Sequence, residues 1–97
     1  MKLYRGDDGS PLQFPAFFAS TRSAAAQYAT FSRGGRVRAF EFEPRRTLVL
    51  YAENEDYDSL FEQARSAGCD SICWKNFEIH YDQWVVLDPE HLVELDE

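Results

Sequence analysis

The sequence predicts an α+β domain in which two helices lie on a mainly antiparallel sheet, and three observations carry that expectation. Arg36 to Glu43 alternates, with Arg38, Phe40 and Phe42 on one side and Ala39, Glu41 and Glu43 on the other, the period of a half-buried strand. Trp84-Val85-Val86-Leu87 is a continuous β-branched and aromatic run stopped by Asp88-Pro89, as expected of a strand buried on both faces. Tyr57, Leu60, Phe61 and Ala64 stand at the i, i+3, i+4, i+7 spacing of one helix face. The 97 residues make one domain, with 15% aromatic content to fill its core.

The remaining elements follow in chain order. Lys2 to Arg5 reads as a first strand, stopped by the turn formers Gly6-Asp7-Asp8-Gly9-Ser10-Pro11. Pro15 to Ala19 is a short apolar strand, and Ser20 is placed to cap a helix over Thr21 to Thr30. Arg33-Gly34-Gly35 ends that helix and opens the alternating strand. Pro44-Arg45-Arg46 turns the chain into a strand over Thr47 to Tyr51. Asn54 or Asp56 can cap the second helix, Tyr57 to Ala67, with Gly68 as its stop. Ser71 to Trp74, broken at Lys75-Asn76, reads as a neighbour of the central strand, and Leu92 to Leu95 as an edge strand. The expected order is β-β-α-β-β-α-β-β-β.

Composition excludes several classes of function. No apolar run approaches the roughly 20 residues that span a bilayer, and Met1 to Gly6 has no apolar h-region, so a cytoplasmic, non-membrane protein is expected. Cys69 and Cys73 on extended chain would lie on the order of 13 Å apart, beyond disulfide reach. With His80 and His91 as the other soft ligands they form no recognised zinc spacing, so buried free thiols are expected and no metal is called for. The formal charge of −7 is divided unevenly: residues 1 to 46 hold eight Lys/Arg against four acids, giving +4, and residues 47 to 97 hold two against thirteen, giving −11. Neither helix has the basic face of a DNA-binding element, so direct nucleic-acid binding is not expected.

Five segments in order carry a resemblance. They are Leu3-Tyr4-Arg5-Gly6; Phe17-Phe18-Ala19-Ser20-Thr21 leading into Ala24 to Ala29; Phe42-Glu43-Pro44; Ala67-Gly68-Cys69-Asp70; and Gln83-Trp84-Val85-Val86-Leu87-Asp88-Pro89-Glu90-His91-Leu92. Together they resemble a small ADP-ribosyltransferase-like domain of phage and mobile-element type. The resemblance implies a split antiparallel sheet with two helices and NAD in a central cleft. It implies that Arg5 holds the NAD, that Ser20 and Thr21 supply hydroxyls, and that Tyr28 packs on nicotinamide. The late-strand Glu that stabilises the cationic sugar in such enzymes falls at Gln83, an amide that carries no charge. Asp82 or Glu78 could replace that acid from nearby, although a one-residue shift along a strand turns a side chain to the other face.

Two classes of function follow. The first is a catalytically degenerate domain that acts as a small acidic inhibitor of the anti-CRISPR kind, with no cofactor. Its Glu53, Glu55, Asp56, Asp58 and Glu62 would mimic DNA phosphates in the groove of a basic, nucleic-acid-binding host protein. The alternative is an active NAD-dependent ADP-ribosyltransferase with Asp82 or Glu78 as a displaced acid. The bland readings are a surface Arg5, a core Tyr28, a capping Ser20 and a solvated acidic helix face.

Overall fold

A computed structural model describes residues 1–51, 56–78 and 81–96, apart from the side chains of residues 76–78. Its elements are β1 (Lys2–Asp7), β2 (Ala16–Ala19), α1 (Arg22–Ala29), β3 (Arg36–Phe42), β4 (Thr47–Leu50), α2 (Tyr57–Ser66), β5 (Ser71–Glu78), β6 (Tyr81–Val86), a 3-10 turn at Pro89–His91 and β7 (Leu92–Glu94). The expected element order holds throughout.

The strands form one seven-stranded sheet in the order β4-β5-β6-β2-β1-β3-β7, mainly antiparallel as expected, but it differs in two ways from the split antiparallel sheet that the resemblance implies. The sheet is mixed, because α2 carries the chain back so that β5 runs parallel to β4, with Thr47 opposite Ser71 and Leu50 opposite Trp74. It is also continuous rather than split. Its halves meet at β1 and β2 through a single register pair, Tyr4 with Ala19, whereas β1 pairs with β3 over six residues and β2 with β6 over four.

Both helices cover one face. α2 buries Leu60 and Ala64 against Ile72, Trp74 and Val85, while α1 buries Ala24 and Ala25 beside Ala19. On the opposite face Leu3, Phe18, Phe40, Phe42 and Trp84 form a second core, closed by Leu12 and Phe14 from the loop after β1. Val85 and Val86 are both fully buried, as a strand sandwiched between these layers requires. Phe61, expected to be buried, is half-buried at the margin of the α2 core, where it also packs against Phe17 and Tyr57.

Three boundaries differ from expectation. β1 continues through Gly6 and Asp7, because these residues pair with Val37 and Arg36. Gly6 is required there: a Cβ would meet the Ala25 carbonyl oxygen at 2.0 Å, so its absence lets α1 lie directly on β1. β5 continues through Lys75-Asn76 by taking a register shift between Trp74 and Glu78. Thr21, not Ser20, caps α1, with its hydroxyl accepting from the Ala24 N–H at 3.3 Å. Ser20 is held by β6: its N–H donates to the Asp82 carbonyl at 3.0 Å and its Oγ accepts from the Asp82 N–H at 2.8 Å. Asp56 caps α2, accepting from the Ser59 N–H at 3.2 Å, and Gly68 follows it at φ +77°. Among the described residues no helix is long and apolar enough to cross a membrane.

Candidate functional site

The seam between β1 and β2 is where the sheet opens. With one register pair holding it, a side chain completes the junction: Arg5 Nη1 donates to the Phe17 carbonyl at 2.8 Å, and Arg5 Nε donates to Asp7 Oδ2 at 2.7 Å. Those bonds engage part of a guanidinium that carries five N–H donors.

Beside the seam lies a cavity of about 220 Å³, lined by Tyr4, Arg5, Gly6, Phe17, Phe18, Ala19, Tyr28, Tyr81 and Gln83. The period of β6 delivers Tyr81 and Gln83 to this side. α1, seated on Gly6, delivers Tyr28, whose hydroxyl lies 2.7 Å from that of Tyr81, so a hydroxyl pair bridges helix and strand over the cavity. Gln83 is only 9% exposed. Four elements therefore converge on a pocket walled by aromatic rings, with Arg5, Gln83 and the three tyrosines Tyr4, Tyr28 and Tyr81 as its polar residues. Such walls stack a planar ring, and the amide and phenols can bond its polar edge. Among the described residues no carboxylate lines the cavity.

Of the residues singled out in the sequence, Arg5, Tyr28 and Gln83 come together here. Ser20 and Thr21 do not line the cavity, and their hydroxyls bond the Asp82 and Ala24 N–H groups. Asp82 faces the other side of β6, where Lys75 Nζ lies 3.3 Å from its Oδ2. The same ammonium is held above its ordinary range chiefly by that hydrogen bond. Glu78 pairs through its backbone with Tyr81, and its side chain lies outside the described atoms.

The acidic cluster is only partly in view. Asp56 serves as the α2 cap, Asp58 and Glu62 are exposed on that helix, and Glu53 and Glu55 lie outside the described residues. In the sequence Tyr81 belongs to the polar cluster of Glu78, His80, Tyr81, Asp82 and Gln83 just ahead of the central strand, where a site is to be sought, and the structure puts it on the cavity two residues from Gln83. Phe17 is the cavity residue to which sequence reasoning gave no role in a site.

Cys73 is fully buried and Cys69 half-buried, both as free thiols, and burial pushes the Cys73 thiol up to about 11. His80 lies outside the described residues, and His91 sits in the 3-10 turn. Among the described residues no three His, Cys, Asp or Glu side chains are grouped to hold a metal ion. A second hollow, larger at about 490 Å³, lies between Met1, Glu41, Glu43, Glu90, His91 and Val93, but it holds none of the residues to which the resemblance gives a role.

In comparisons with models of protein families, with curated proteins and with solved structures, the chain matches none.

Proposed function

We propose that this chain is an ADP-ribosyltransferase-like domain that binds the nicotinamide-ribose end of NAD in the seam cavity without transferring the ADP-ribose. One observation carries this: Arg5, Tyr28 and Gln83, drawn from three separate segments of the resemblance, line one cavity. At about 220 Å³ the cavity lies below the roughly 300 Å³ at which ordinary small-molecule sites begin, so it suits one half of a dinucleotide, with the remainder lying outside. Arg5 supplies the cation for the phosphate, and the aromatic walls take the ring. Gln83 bonds the ribose but cannot offset the positive charge that develops on the sugar as nicotinamide leaves, which is the contribution transfer needs most.

Calorimetric titration of NAD into the purified protein tests this reading. Binding in the micromolar to millimolar range is expected, weakened at least about tenfold by Arg5→Gln and by Tyr28→Ala. Absence of binding at millimolar NAD would remove it.

A second reading has its own observation. Asp58 and Glu62 are exposed, one turn apart on α2, and make no ion pair among the described residues. On this reading the fold is a scaffold, and its acidic half occupies the nucleic-acid groove of a basic host protein, in the manner of a phage-encoded anti-CRISPR inhibitor that mimics DNA.

A further inference from the structure

We propose that Asp7, Arg38 and Glu94 are positioning residues for the cleft arginine, forming a chain of charge pairs that runs from the edge strand β7 across β3 to the guanidinium of Arg5. Arg38 is buried, its side chain 8% exposed. It grips Glu94 with both ends of its fork, Nε to Oε2 at 3.1 Å and Nη2 to Oε1 at 2.7 Å. Its Nη1 donates to Asp7 Oδ2 and to the Ser10 carbonyl, each at 3.0 Å. The same Asp7 Oδ2 accepts from Arg5 Nε at 2.7 Å, while Oδ1 accepts from the Gly9 N–H at 2.9 Å.

The register shows what this arrangement resolves. Arg5 and Arg38 are directly opposite each other on β1 and β3, and like charges in that position repel. Asp7 stands between them and binds both. A carboxylate clamped by two guanidinium groups and a turn amide has little freedom to turn, so the plane of Arg5 is set before any ligand arrives. Holding one rotamer of a long side chain in advance lowers the entropy lost on binding. Arg5 Nη1 then reaches the Phe17 carbonyl at 2.8 Å and spans the seam.

The ligand part of this inference rests on the proposed NAD cleft, and the positioning part does not. In 15N-labelled protein, the Arg5 Nε–H resonance, identified by its loss in Arg5→Gln, is expected to exchange slowly with solvent. In Asp7→Asn and in Glu94→Gln its exchange should rise at least about tenfold while the backbone amide spectrum stays folded. Glu94→Gln is decisive because Glu94 bonds Arg38 rather than Arg5, and it carries the test alone if Asp7→Asn does not fold. An unchanged Arg5 resonance in folded Glu94→Gln would overturn the proposal. With NAD as the probe, Asp7→Asn and Arg5→Gln should each weaken binding about tenfold and the double variant no further, whereas additive losses would overturn it. Failure of the native protein to bind NAD would sink the proposed function, leaving the resonance measurement to decide the positioning on its own.

Discussion

Asp82 and Gln83 are neighbours on β6 and face opposite sides of the sheet: Gln83 lines the seam cavity, while the Asp82 carboxylate lies 3.3 Å from Lys75 Nζ on the far side. A strand alternates its side chains, so the acid next to the amide cannot act for it. Asp82→Ala is therefore expected to leave NAD affinity within about twofold of native. The Lys75 pair is partly exposed, and losing such a pair costs under about 1 kcal/mol in a denaturation midpoint. Loss of binding in a folded Asp82→Ala would place that acid in the site.

The Arg38 network makes stability depend on acid. Burial alone would raise the Asp7 carboxyl, but the Gly9 N–H, Arg5 and Arg38 together more than offset it, and it lies below its usual range. Glu94 is lowered chiefly by its hydrogen bonds from Arg38. Carboxyls depressed in the folded state contribute stability that is complete above their unfolded values, near pH 4, and lost as pH falls through the folded ones. Urea midpoints should hold from pH 7 to 5 and fall below about pH 4. Arg38→Met should cost about 2 to 3 kcal/mol at pH 7, because it leaves Asp7 half-buried with one partner fewer, and should flatten the acid limb. An unchanged acid limb in Arg38→Met would contradict this.

The acidic helix offers a separate outcome. If α2 is a phosphate mimic, replacing Asp58 and Glu62 by Asn and Gln should abolish binding to a basic, nucleic-acid-binding partner. Each exposed replacement should shift stability by under about 0.5 kcal/mol. Binding of the native protein should weaken steeply between 0.1 and 1 M salt, as the Debye length falls from about 10 Å to about 3 Å. A variant that keeps its salt-sensitive binding would remove α2 from the interface.

Much of this was legible from period alone. The alternation of Phe40 and Phe42 and the run from Trp84 to Leu87 placed two strands, and Leu60 with Ala64 placed a helix face, because burial of one face is what such periods encode. Register was not legible. That Arg5 would lie opposite Arg38 with Asp7 between them depends on long-range pairing, and Gly6-Asp7 carries the composition of a turn although the pairing with β3 keeps it extended. Ser20 is a good cap by residue type, yet its bonds to Asp82 across β2 and β6 pass that role to Thr21. Arg5, Tyr28 and Gln83 were each singled out from their own segments, but their meeting in one cavity is a product of sheet order, which local sequence does not state.

The most direct measurement supplies at Gln83 the charge that the proposed function takes to be lacking. Gln83→Glu puts a carboxylate into the cavity with a side chain of nearly the same size, so folding should survive and NAD should still bind. Release of nicotinamide from NAD, followed by chromatography, should be at background for the native protein and rise at least about a hundredfold in Gln83→Glu, the scale on which one electrostatic group acts. A folded Gln83→Glu that binds NAD and releases nicotinamide no faster than the native protein would contradict the claim that the seam cavity is a transferase-like cleft silenced at Gln83.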